Sequence, residues 1–141
     1  MALNEDTLVQ QTTADYLRDA LGWRSEFAYN TEVLGPEGSF GRKSEQDVVL
    51  TRILGEKLIA LNPGLPDAAY RDALRQIVEV GAGLRGMAAN REKYHLLRDG
   101  VKVSYRKPDG TLEVRTLRVF DFDTPENNDF LAVREVWVKG E

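Results

Sequence analysis

No cysteine occurs among the 141 residues, and histidine occurs once, as His95. The first absence excludes a disulfide scaffold, a thiolate-held metal and a Cys–His dyad. The second means that metal chemistry would have to rest on carboxylates. No apolar run approaches the roughly 18 residues that a membrane span needs, and the start of the chain lacks the basic-then-apolar pattern of a secretory signal. Cytoplasm is the expected compartment, with no membrane partner. There is no Gly-x-Ser-x-Gly elbow to activate a serine. Gly81-Ala82-Gly83 with Gly86 is not followed by Lys-Ser or Lys-Thr and succeeds a helix rather than a strand, so it reads as a connection between helices and not as a phosphate loop. Internal repeats and low-complexity tracts are also missing.

Apolar residues make up 42% and charged residues 30% of the chain, the balance of a globular protein, and the length suits one domain over residues 1–141. The net charge of -4 counts against an autonomous nucleic-acid binder. Its distribution is uneven. Residues 1–84 carry 8 basic and 13 acidic side chains, residues 85–118 carry 9 and 4, and residues 119–141 carry 2 and 6. The basic middle is read either as a patch facing DNA or as a solvated helix and hairpin.

A first helix is expected from Asn4, an N-cap, through Glu5 and Asp6 to a stop at Gly22, with Leu8, Val9, Tyr16, Leu17 and Leu21 on its apolar face. Residues 23–43 lose helical period and contain Gly35, Pro36, Gly38 and Gly41, a long loop with one short strand near Phe27 to Val33. Ser44 with Asp47 three positions on resembles a capping box, so a second helix is expected from Ser44, carrying Val48, Val49, Ile53, Leu54, Leu58 and Leu61 to Asn62-Pro63-Gly64. Pro66 opens a third, with Tyr70, Ala73, Leu74, Ile77 and Val78 before Gly81. A fourth runs from Met87 to Leu97 and stops at Gly100. The period then becomes two: Val101, Val103 and Tyr105, a turn at Lys107-Pro108-Asp109-Gly110, then Leu112 and Val114. The apolar phase slips before Leu117 and Val119, which implies a bulge near Arg115 and Thr116. A turn over Asp123 to Asp129 leads to a third, central strand, Phe130 to Val138. The expected class is α+β, N-terminal helices followed by an antiparallel three-stranded meander.

Three constellations are read structurally rather than chemically. His95 lies on the fourth helix with no nucleophile signalled beside it. Pro108-Asp109 and Glu113-Val114-Arg115 imitate the halves of a metal-dependent nuclease site, yet Asp109 sits in a tight turn that backbone conformation explains. Asp121 and Asp123 read as solvated loop carboxylates.

Several segments resemble the amino-terminal region of type I restriction enzyme R subunits. They are Asn4-Glu5-Asp6-Thr7-Leu8-Val9-Gln10 with Leu21-Gly22-Trp23; Gly41-Arg42-Lys43-Ser44 before Val48-Val49-Leu50; Ala60-Leu61-Asn62-Pro63; Asn90 to His95 before Asp99-Gly100-Val101; and Phe122-Asp123-Thr124-Pro125-Glu126-Asn127-Asn128-Asp129-Phe130-Leu131-Ala132-Val133. The resemblance implies the front part of a restriction-endonuclease-like α/β nuclease domain. In such subunits that domain precedes an ATP-driven DNA motor, works with magnesium, and assembles with methylation and specificity subunits on DNA. The family's cutting motif, Pro-Asp on one strand and Glu-x-Lys on the next, follows the strand matched by Phe130 to Val138. The expectation is therefore no catalytic residue, metal or ATP site within this segment. Phosphate contacts are expected first from Arg42 and Lys43 beside the helix start at Ser44, then from Arg91, Lys93 and Arg98. The alternatives are a non-catalytic interaction module docking through residues 23–43, and an unrelated domain that shares the pattern by chance.

Overall fold

The computed structural model describes residue 4, residues 6–79 and residues 83–140. It divides into two compact units, one built from both ends of the chain, up to Val48 and from Asp129 on, and the other from Val49–Asn128. Glu5, Gly81, Ala82 and Glu141 lie outside the described residues, and with them the expected stop at Gly81 and part of the glycine-rich connection.

In the first unit, a π-helical turn over Asp6–Gln10 leads into helix α1, Gln11–Leu21. The Leu8 amide donates to the Asn4 carbonyl at 2.9 Å, so the coil begins where the Asn4 signal places it. It ends at Gly22, whose φ of 70° opens the left-handed turn in which its own amide and that of Trp23 reach back to the Arg18 and Leu17 carbonyls. The expected apolar face is only partly covered. Ala14 is buried, while Leu8, Val9, Tyr16 and Leu21 are exposed.

Strand β1, Arg24–Phe27, pairs in parallel with a second short strand near the chain's end, running from Arg24↔Leu131 to Phe27↔Arg134. The three-stranded meander is thereby corrected. The terminal strand spans only Leu131–Arg134, Glu135 at φ 57° follows it, and its partner is β1 instead of the hairpin. A parallel pair joins segments more than a hundred residues apart and leaves no local turn signature, which is why hydrophobic alternation alone pointed to a meander. The strand expected near Phe27 to Val33 is likewise displaced: β1 ends at Phe27, and residues 28–33 are not extended strand.

The second unit holds α2, Thr51–Leu61; α3, Asp67–Glu79; α4, Met87–Asp99; and the antiparallel hairpin of β2, Val101–Arg106, and β3, Leu112–Leu117. The terminal strand, last in the chain, is β4. Helix α2 begins at Thr51 and not at Ser44. The capping signal is satisfied locally: Asp47 Oδ2 accepts the Lys43 and Ser44 amides at 2.8 and 3.2 Å, and Ser44 Oγ accepts the Gln46 amide. That closes a turn, and the β-branched Val48-Val49 pair intervenes before helical geometry starts.

Leu58, Ala69, Tyr70, Ala73, Ile77, Val101, Val103, Leu117 and Val119 form the core of this unit. Each large apolar member contributes roughly 1.5–3 kcal/mol by leaving water. The Tyr70 hydroxyl donates to the Asn62 carbonyl at 2.6 Å and accepts the Leu65 amide. Asn62 also binds Arg118 in both directions, Nδ2 to its carbonyl at 2.8 Å and Oδ1 from its amide at 2.7 Å, so the residue that stops α2 also anchors the exit from β3. No bulge exists at Arg115 and Thr116. The register is unbroken from Val101↔Leu117 to Arg106↔Leu112, which puts Leu112 and Val114 on the outer, exposed face while Leu117 points inward. The phase slip is a change of which face is apolar, with every residue still paired. Among the described residues no helix is long and apolar enough to cross a membrane.

Candidate functional site

Arg42 is one of the most buried side chains of the first unit, with none of its surface exposed. Its guanidinium grips Glu32 by Nε–Oε1 at 2.8 Å and Nη2–Oε2 at 2.5 Å, and donates to the carbonyls of Asp47 at 2.8 Å and Trp137 at 2.9 Å. The hydrogen-bonded Glu32 carboxylate raises the arginine above its ordinary range, against the opposing effect of burial. The reading of Arg42 as a surface phosphate contact is corrected by this arrangement: the planar fork matches one internal carboxylate and two carbonyls, tying residues 10 and 95 positions away into one knot. Lys43 is exposed. The anion cradle expected beside it is not formed, because Asp47 occupies the Lys43 and Ser44 amides and no helix starts there.

The other three cations lie on α4. Arg91 and Arg98, seven positions apart with His95 between them, share a helix face, whereas Lys93 is turned roughly 200° from Arg91. Arg98 lies over the Tyr94 ring at 5.4 Å and chelates Asp99 at 2.6 and 2.7 Å. That pairing raises the guanidinium and lowers the Asp99 carboxyl from their ordinary values. His95 sits 3.6 Å from Asp99 and 3.3 Å from Arg98, on the helix where the sequence puts it. Arg91 and Arg98 thus share one face of α4, about 10 Å apart along its axis, while Arg42 and Lys43 belong to the other unit.

The carboxylates are engaged in structure. Asp109 Oδ1 accepts the Thr111 amide at 2.9 Å and hydroxyl at 2.6 Å, closing the hairpin turn, and the Thr111 hydroxyl is the leading cause of its lowered pKa. Glu113 pairs with Arg115 at 2.7 Å and Lys107 at 3.2 Å, and those cations hold it below its ordinary value, Arg115 foremost. Among the described residues no group of three or more histidines, aspartates or glutamates is placed to hold a metal. Asp109 and Glu113, each engaged by its neighbours on the hairpin, form no metal cage.

Asp121 departs most from the sequence reading. Expected to be solvated, it is 4% exposed. Oδ1 accepts the amides of Asp123 at 3.1 Å and Thr124 at 3.0 Å and an ion pair from Arg118 at 3.1 Å, while Oδ2 accepts Asn127 Nδ2 at 2.9 Å. Asn128 closes the other side, accepting the Asp121 amide and donating to the Asp121 and Pro125 carbonyls. These bonds, Asn127 first, lower the carboxyl from its usual value. Asp123 is exposed and forms no pair with it. The usable signal was the spacing of Thr124, Asn127 and Asn128 after Asp121: an acceptor followed by the donors that wrap it.

The same motif continues into the first unit. Asp129 forks onto Arg24 at 2.9 and 2.8 Å, and Phe130 stacks on Trp23 with ring centroids 5.3 Å apart. Leu21-Gly22-Trp23 and Asn128-Asp129-Phe130 are separate pieces of the sequence. Their neighbours pair residue by residue at the start of β1 and β4.

A family model described as Type I restriction enzyme R protein N terminus matches residues 2–141. A relative, the Type I restriction enzyme HindI endonuclease subunit of Haemophilus influenzae, is 33% identical over 137 residues, which cover 97% of this chain and 12% of the relative. The chain thus spans about an eighth of that relative's length. No solved structure matched. With the family model covering nearly every residue, and the motif pieces meeting at the β1–β4 pair, this chain belongs to the family of type I restriction enzyme R protein N-terminal regions.

Proposed function

We propose that this chain forms the front part of the nuclease domain of a type I restriction R subunit, in a restriction-endonuclease-like fold. In the intact subunit it would contribute to ATP-dependent DNA translocation and magnesium-dependent double-strand cleavage without itself carrying the cutting motif. DNA and the methylation and specificity subunits are the proposed partners. The observation that carries the reading is the β1–β4 pair: the motif that marks the family is spent on fastening β4, through Asp129 on Arg24 and Phe130 on Trp23, beside a helix-flanked parallel strand. A strand clamped at its entrance is what a following catalytic strand needs for sub-ångström placement of its carboxylates. In such subunits bound magnesium would polarise the scissile phosphate and supply the attacking hydroxide. The role proposed for residues of this chain is scaffold and phosphate contact, the latter through Arg91 and Arg98 on one face of α4, with Lys93 on the opposite face.

The test is a titration of labelled duplex DNA with the purified chain over a range of salt. Weak binding that fades as salt rises is expected, with no magnesium-dependent nicking. Arg91→Ala should flatten the salt slope by about one unit if that side chain meets a phosphate. Nanomolar affinity surviving high salt, or magnesium-dependent nicking lost on Asp121→Asn, would overturn the proposal.

A further inference from the structure

We infer that the exposed aromatic row of Phe27, Tyr29 and Trp137 is a docking surface for arginine side chains of a partner protein. This goes beyond the nuclease reading and does not depend on it.

The three rings lie in sequence, Phe27 to Tyr29 at 6.2 Å between centroids and Tyr29 to Trp137 at 6.1 Å, tilted by 39° and 30°. They are 43%, 44% and 56% exposed. Their own spacing falls in the range where rings touch each other. The row is thus a continuous face on which a planar group lies, with no slots between rings for successive bases. One guanidinium is already there: Arg134, the register partner of Phe27, has its Cζ 4.9 Å from that ring's centroid. Tyr29 and Trp137 present the same kind of surface, and tryptophan is the strongest aromatic acceptor of a cation.

The row is held in shape. Trp137 lies beyond the end of β4, yet its carbonyl is pinned by the buried Arg42 at 2.9 Å, and two residues on the Lys139 amide donates to the Glu45 carbonyl at 2.9 Å.

Charge selects the occupant. The unit that carries the row has six basic and twelve acidic side chains in its sequence. Three of the six, Arg18, Arg24 and Arg42, are already ion-paired with aspartate or glutamate. Such a unit repels a phosphate backbone and draws in a cationic partner. Aromatic faces on a negatively charged unit favour guanidinium over ammonium, since the weakly hydrated plane both stacks and leaves water more easily.

The experiment measures anisotropy of a labelled nine-residue peptide of alternating glycine and arginine on the full chain. The comparison probes are the matching glycine–lysine peptide and a labelled nine-residue oligothymidine. Saturable binding of the arginine peptide is expected, stronger than the lysine peptide, with the oligothymidine unbound. Tyr29→Leu and Trp137→Leu should each weaken it roughly two- to fivefold, with unchanged circular dichroism and melting. Two different substitutions are used so that a folding defect in one leaves the other informative. Equal binding of both cationic peptides, unmoved by either substitution, would reduce the effect to net charge and overturn the inference. So would preference for oligothymidine, or a concentration-dependent dimer that Trp137→Leu disperses, which would make a second copy the occupant.

Discussion

Arg42 and Asp121 are the two charged side chains buried among the described residues, and each organises its surroundings through several hydrogen bonds inside the protein. Truncating Arg42 to alanine strands the Glu32 carboxylate, whose side chain is only 9% exposed, without its counter-charge. Breaking such a pair costs about 3–5 kcal/mol, so chemical denaturation of Arg42→Ala should show a loss of that size. Arg42→Lys should also be destabilised, because a single ammonium cannot serve a carboxylate and two carbonyls in a plane. A variant with unchanged stability and weakened DNA binding would restore Arg42 as a surface contact. Asp121 gives a pH prediction. Its folded pKa is lowered, first by Asn127 and then by the Thr124 amide. The stability it confers is therefore fully present above the unfolded carboxyl value near 4, and is lost as pH falls through the lower folded value. Asp121→Asn should melt several degrees lower at neutral pH, and its stability should fall less steeply than the parent's below pH 4; identical acid limbs would refute the assignment. Asp121's enclosure has a local signal in the donors at Thr124, Asn127 and Asn128 that follow it, whereas Arg42's burial has none. Arg42 precedes Lys43 and looks like half of a basic pair, and its partners at Glu32 and Trp137 become neighbours only through the fold.

At the scale of elements, periodic signals were reliable where one element answered to its own sequence. Helix α3, opened by Pro66, buries Tyr70, Ala73 and Ile77 as its spacing predicts, and the hairpin turns at Lys107 to Gly110. The Ser44 signal shows the limit: a capping pair satisfies amides whether or not a helix follows, and here it closes a turn seven residues short of α2. Gly100 is the sharpest junction, joining α4 to β2 at φ 88°, ψ 175°, a region essentially reserved for glycine. A methyl group there would stand 2.6 Å from the Leu117 carbonyl and 2.8 Å from Thr116 Cγ2. Gly100→Ala should cost about 1–3 kcal/mol or more, lowering the thermal midpoint of the second unit, and faster amide exchange at Val101 and Leu117 would locate the damage in the first hairpin rung. A wild-type melt would contradict the strain.

For the whole molecule the division of charge matters most. The unit holding both chain ends is six charges negative, and the Val49–Asn128 unit carries thirteen basic and eleven acidic residues, so the overall value of -4 hides two different surfaces. With Arg91 and Arg98 on one face of α4 as the proposed phosphate contacts, raising salt from 50 to 200 mM should weaken duplex binding roughly 12-fold, measurable by the same titration; a salt-independent affinity would exclude that face. The sequence by itself determined the α+β class, the four helices save the start of the second, the hairpin and membership of the family, because propensity, capping and turn chemistry act over a few residues and the motif pieces keep their order along the chain. Only the tertiary structure decided that β4 pairs with β1, that Arg42 turns inward, and that Phe27, Tyr29 and Trp137 form one exposed row. Those outcomes depend on contacts between residues far apart in the chain, where a local pattern is compatible with several partners and packing selects one.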